Sequence, residues 1–340
     1  MQSSQLKRRV IALVKIGVAV GILVFLIVQA QRHDSFARLR DEPKDWGILL
    51  AAMACSLTAV ALSFVRWFLL VRALGLTFRL SAAFRLGFLG YLLNLVSLGL
   101  VGGDLFKALM IAREQPGRRT EAVATVFVDR LTGLYSLFLV ATIGIVLADL
   151  RASPSGSAIR IICDSTLWFT GLSTLGLCLL LVPGFPGRRA GEFCGRLPLV
   201  GDTMTRLIAT AGIYRTRLPT LLAAIALSMG IHSLLSVTIY LIARGLPGAA
   251  PSLAEHFLIV PMSMIAGALP LTPSGLGTFE AAIGYFYSYL GADTQVTVGN
   301  GVVVALGYRV IMVITAMISA GYYLVSRGEV AGVIHDIEAN

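Results

Sequence analysis

Leu269–Glu280 reads LPLTPSGLGTFE and sets two prolines and two glycines inside a long apolar region. Pro270 and Pro273 remove two backbone donors and block a continuous helix. Gly275 and Gly277 permit turns that other residues resist. Apolar runs on both sides place the stretch at membrane depth, where no water satisfies the freed N–H and C=O groups. Broken backbone is tolerated there only when it is buried in protein or lines a polar cavity. The stretch therefore predicts an intramembrane cavity, with the rest of the chain as its walls.

The surrounding composition fits that reading. Of 340 residues 56% are hydrophobic and 14% charged, against roughly 25% charged in a soluble domain. Long apolar runs follow one another without the period-two alternation of barrel strands, so the chain is expected to be all-α and polytopic. The formal charge of +10 is assigned to loops facing an anionic leaflet rather than to nucleic acid. Cys55, Cys163, Cys178 and Cys194 show no CxxC spacing, and the four histidines form no cluster. No metal or other cofactor is expected.

Counting Lys and Arg in the loops sets the topology. Val10–Val28 follows Lys7-Arg8-Arg9 and is too long for a signal-peptide core, so it is taken as a retained anchor. Trp46–Val71, Ala122–Ala148, Ile161–Val182, Leu218–Ala243 and Val296–Val325 complete six full crossings. Two segments refuse a simple crossing. A span over Leu86–Val101 would put the basic loop Arg113–Arg119 outside, whereas a hairpin over residues 86–112 turning at Gly102-Gly103 keeps it inside. The second hairpin, residues 257–290, enters from the other face, because neither arm beside the Pro/Gly break is long enough to span. Residues 199–216 carry Val200, Met204, Leu207, Ile208 and Ala211 at helical spacing, with arginines opposite. That pattern predicts an amphipathic helix on the inner surface. The 340 residues read as one integral membrane domain, with both termini on the cytoplasmic side of a prokaryotic inner membrane. Opposed broken hairpins are the layout in which transporters build a midplane site.

Seven ionisable residues fall within or beside the apolar segments: Arg66, Asp104, Lys107, Asp129, Arg130, Glu280 and Arg309. Each costs about 2.5–3.5 kcal/mol at a helix centre before pairing. Four cations against three carboxylates leave one positive charge for an anionic guest. Asp104 and Lys107 share a helical face beyond Gly102-Gly103, where Asp104 is placed to cap the new helix and Lys107 to meet a phosphate. Asp129 and Arg130 lie about 100° apart on a helix, so each reaches a different neighbour. Arg66, beside Trp67, is expected to snorkel toward the inner end. Glu280 has three readings, in order: pairing with an arginine, capping amides of the broken loop, or carrying a proton.

GGDLFKALMIARE (Gly102–Glu114), VDRLTGL (Val128–Leu134) and PLTPSGLGTFEA (Pro270–Ala281) give the chain a resemblance to the lysylphosphatidylglycerol synthase transmembrane-region family. The likeness runs from about Leu6 to Val325. It implies a flippase-like domain, as in the multiple peptide resistance factor proteins, whose broken helices enclose a lipid-accessible cavity. The matching positions are Gly102, Gly103, Asp104, Asp129, Arg130, Pro273, Gly275, Gly277 and Glu280. Bifunctional members carry a soluble aminoacyl-tRNA-dependent transferase domain, for which these 340 residues leave no room, so lysyl transfer is not expected.

The leading expectation is a translocator that carries a phospholipid or polyprenyl-phosphate-type lipid, with an anionic or zwitterionic headgroup, between leaflets. Arg66, Lys107, Arg130 and Arg309 would offset the headgroup charge. The alternatives are a membrane-embedded transferase acting on a lipid carrier, an ion-coupled small-anion transporter, and a non-transporting scaffold for lipid synthesis. Membrane lipids are the expected partners, and a homodimer stays open.

Overall fold

The structure, a computed structural model, describes residues 17, 20–28, 31, 35–96, 102–152, 157–182, 214, 217–269, 271–290 and 296–325. Among the described residues the regular structure is entirely helical. After a helical stretch over residues 20–28 come ten α-helices: α1 (Ser35–Asp41), α2 (Trp46–Ala73), α3 (Leu80–Val96), α4 (Gly102–Glu114), α5 (Arg119–Leu147), α6 (Ala158–Leu181), α7 (Leu218–Gly245), α8 (Leu253–Ala268), α9 (Thr278–Leu290) and α10 (Val298–Val325). Five of them, α2, α5, α6, α7 and α10, are long and apolar enough to cross a membrane. The chain is a polytopic α-helical membrane protein.

Local chemistry places the helix starts. Asp45 accepts from the amide of Ile48 at 3.0 Å to cap α2, and Ser157 caps α6 through Arg160. At α8 the Ser252 hydroxyl accepts from the Glu255 amide while Glu255 accepts from the Ser252 amide, a reciprocal capping box.

Two ends of the bundle can be told apart by what meets there. Asp45 N donates to Gly245 O at 3.0 Å, so α2 begins where α7 finishes. At the opposite end Arg118 donates to Leu74 O at 2.8 Å, joining the close of α2 to the start of α5. That second end carries Arg72, Arg79, Arg85, Arg113, Arg118, Arg119 and Arg217, and is the basic end.

Four shorter helices form two pairs, each returning to the end from which it came. Gln115, just past α4, donates to Thr77 O, just before α3, at 2.6 Å, and Arg85 faces Glu114 at 3.8 Å. The open end of α3–α4 therefore lies at the basic end. His256 in the first turn of α8 meets the Tyr287 hydroxyl near the finish of α9 at 2.8 Å. The α8–α9 pair opens at the opposite end, so the two broken pairs face one another.

One boundary differs from expectation. Gly102 and Gly103 are not the turn of the first hairpin, because they open α4. Gly103 matters for approach instead: a Cβ there would run into the carbonyl of Gly90 and the Asn94 side chain. The absent side chains let α3 and α4 cross in backbone contact. Residues 10–16, 18 and 19 of the first anchor and nearly all of residues 199–216 lie outside the described residues. Tyr214 is described; it is buried, and its hydroxyl donates to Leu70 O at 3.0 Å.

Apolar packing divides in two along the bundle. Trp67, Leu70, Leu86, Ile111 and Tyr214 fill a core toward the basic end. Ile239, Leu258, Ile283, Tyr287 and Ala305 fill another toward the opposite end. The broken tips and the intramembrane charges lie between them.

Candidate functional site

The break after α8 is held by one arginine. Within it, Pro273–Gly275 forms a single 3-10 turn containing Ser274 at φ 49°, Gly275 at φ 65° and, just beyond, Gly277 at φ 88°. Left-handed backbone costs a non-glycine residue roughly 1 kcal/mol or more, so Ser274 is in a place the surroundings must enforce. Arg309, near the middle of α10, donates to Ser274 O at 3.3 Å and to Gly275 O at 3.0 Å. Its Nε reaches Glu280 Oε1 at 2.5 Å, and Glu280 Oε2 accepts from the Gly277 amide at 2.7 Å. Glu280 has no exposed surface. The first two readings of Glu280 are both present at once: it pairs with an arginine and caps the broken loop. Pro273 starts the turn. Pro270 lies outside the described residues.

A second charge group sits where α4 begins. Asp104 pairs with Arg130 of α5, and the Lys107 amine stands 3.9 Å from the other Asp104 oxygen. Lys107 also lies over the rings of Trp67 and Phe64, 5.5 and 5.9 Å from their centroids. The aromatic faces stabilise an ammonium electrostatically where water is scarce. Asp104 faces these cations rather than capping α4. The amide of Gly103 is instead satisfied by the Asn94 side chain at 2.9 Å.

Asp129 and Arg130 do reach different neighbours. Asp129 takes both Nε and Nη2 of Arg66, at 2.7 and 3.0 Å, and the remaining Nη1 donates to Ser228 at 2.7 Å. Arg66 is 7% exposed, which overturns the expectation that it snorkels to the inner end. A carboxylate at bidentate distance offers it more than a distant headgroup layer does.

Across these two groups, counting the described residues alone, three cations (Arg66, Lys107, Arg130) meet two carboxylates (Asp104, Asp129). The Arg309–Glu280 pair is neutral. Exposure separates them further: the Arg130 side chain is 49% exposed, while Arg66 and Arg309 are largely covered. Arg130 is thus the accessible member of a basic group whose other two members, Asp104 and Lys107, are as covered as Arg309. A cavity of about 390 Å³ also opens between the finish of α7 and the start of α8, lined by Arg244, Ala249, Pro251, Ser252 and Glu255 among others. It stands apart from these charges. Among the described residues no group of His, Cys, Asp and Glu is arranged to hold a metal.

The sequence profile of the lysylphosphatidylglycerol synthase TM region matches residues 12–320. The chain belongs to the lysylphosphatidylglycerol synthase TM region family. Among curated proteins no match is found. Membership in that family gives this chain a membrane-lipid-related character. Of the positions singled out from the sequence, Gly102, Gly103 and Asp104 begin α4, Arg130 of α5 pairs with Asp104, Asp129 pairs with Arg66 of α2, and Pro273, Gly275, Gly277 and Glu280 form the other tip.

Three participants were missed from sequence: Asn94, Ser228 and Ser274. Their signal was weak but present. Each is a small or uncharged polar residue inside an apolar run, as in LLNLV and ALSMGIHSLL.

Proposed function

We propose that this protein moves a phosphate-bearing lipid between leaflets, its headgroup passing beside Asp104, Lys107 and Arg130 while its tails stay in the bilayer. The observation that carries this reading is the half-exposed Arg130 guanidinium, which stands with Lys107 around Asp104 at the start of a broken helix. Holding charge inside the bilayer is costly, and an anionic headgroup adds a favourable contact for these cations. Lys107 acts as a compact point charge, and the planar fork of Arg130 suits two phosphate oxygens. The basic end is read as the cytoplasmic face.

Purified protein in liposomes tests the reading with a fluorescent phosphatidylglycerol analogue and a dithionite-quenching assay. Wild type should expose the inner-leaflet probe faster than empty vesicles, and Arg130→Ala and Lys107→Met should slow it while the protein stays folded. Equal rates for wild type and empty vesicles, or full rates in both folded variants, would sink it.

A further inference from the structure

Among the described residues, both ring nitrogens of His232 and the hydroxyl of Ser236 are buried without a hydrogen-bond partner. They are four residues apart on α7 and so occupy adjoining turns of one face. Inside a bilayer an unsatisfied polar group has no solvent to turn to, and an ionisable residue there points to function. The imidazole lies beside the backbone of Gly133 in α5, short of hydrogen-bonding geometry, and the charged group that faces it is Arg66 of α2. Gly133 also lies against the Arg66 guanidinium, which a Cβ on it would meet at an ordinary contact distance of 3.5 Å.

These two residues belong to a longer file on the same helix. One turn before His232, Ser228 receives Arg66 Nη1 at 2.7 Å and passes its own proton to Ala224 O at 2.8 Å. One turn after Ser236, Tyr240 meets the ring of His256 edge-on, with centroids 5.4 Å apart. His256 shares one nitrogen with the Tyr287 hydroxyl and the other with Ser252 O, both at 2.8 Å, at the start of α8. Polar side chains therefore recur every turn from Ser228 to Tyr240, which at 1.5 Å per residue covers about 18 Å. That is more than half of a hydrocarbon core of ~30 Å. At one limit stands the Arg66–Asp129 pair, toward the basic end. At the other is Ser252, at the opposite end.

We propose that this file is a proton path with His232 as its relay. Water enters between the Arg66–Asp129 pair and Ser236 and completes the hydrogen bonds that the protein leaves open. A proton joins one imidazole nitrogen, the proton on the other nitrogen leaves, and the ring ends neutral, so the step balances without any redox partner. The hydroxyls of Ser228, Ser236 and Tyr240 pass protons by accepting and donating in turn. The path stands on this geometry and is independent of the lipid reading, to which it would supply a coupling ion.

Liposomes loaded with a pH-sensitive dye and driven by a potassium diffusion potential measure it directly, with lipid-probe movement followed in the same vesicles. Wild type should acidify several-fold faster than empty vesicles. His232→Leu should return the rate to that of empty vesicles, and Ser236→Ala should lower it several-fold while leaving the fold intact. Wild-type flux no greater than that of empty vesicles would overturn the path, and so would full flux in folded His232→Leu. If His232→Leu does not fold, full flux in Ser236→Ala overturns it alone. Proton flux with no lipid movement would refute the lipid reading and keep the path.

Discussion

The hydroxyl of Ser274 donates to the carbonyl of Asn94 across 3.0 Å. These residues belong to the two broken pairs, one opening at each end of the bundle, and the bond between them is where the pairs touch. Each partner is also fastened behind. Asn94 accepts from the Gly103 amide, and Arg309 holds the Ser274 carbonyl. A chain of hydrogen bonds thus runs from the buried Glu280–Arg309 pair to the first turn of α4, beside Asp104.

Ser274→Ala should remove the contact between the tips at a cost of about 0.5–1.5 kcal/mol. Ser274→Gly loses the same bond but releases the left-handed strain, so it should be the more stable of the two by about 1 kcal/mol. Thermal unfolding in detergent orders the pair. The reverse order would mean that the turn is not held in the left-handed region.

Glu280→Leu should destabilise the protein by about 3–5 kcal/mol, because it strands a buried guanidinium. The same unfolding measurement on Arg309→Leu and on the double variant completes a cycle. The double variant should lose less than the sum of the singles, by about 0.5–3 kcal/mol. Additive losses would show that the two side chains do not act as a pair.

Lys107→Met should leave the melting temperature unchanged or raise it, because it takes an incompletely paired charge out of an apolar setting at similar volume. Lipid-probe movement should fall in the same preparation. Lower stability with unaltered movement would make Lys107 a structural residue.

Gly103→Ala should destabilise by about 1–3 kcal/mol, the usual cost of forcing a methyl into close packing. Here the obstacle is the Gly90 carbonyl. Gly171→Ala, whose Cβ would meet nothing within 4 Å, serves as the control and should be neutral or slightly stabilising. The difference in melting temperature between them is the readout.

Topology was legible because membranes punish charge and broken backbone so heavily that both leave marks in the chain. The basic clusters around Arg79 and Arg118 demanded that α3 and α4 return to the end they left, and they do. The prolines and glycines of residues 269–280 marked the second break. Partnership was much less legible. Arg66 beside Trp67 looks the same in sequence whether it reaches a headgroup or Asp129, 63 residues away. Asn94 and Ser274 carry no charge, so nothing in hydropathy raises them above their neighbours. Gly102-Gly103 looked like a turn because glycine serves turns and close crossings alike, and only the proximity of Gly90 decides between them.

Each ion pair among the intramembrane charges is made within one side of that meeting point. Arg66–Asp129 and Asp104–Arg130 join α2, α4 and α5, and Glu280–Arg309 joins α9 to α10. Among the described residues, the hydrogen bond that fastens tip to tip is uncharged. Drawing Ser274 away from Asn94 therefore forfeits a neutral bond, of order 1 kcal/mol, without parting any of these three ion pairs. The seam between the tips can loosen while the charged contacts on either side of it stay closed.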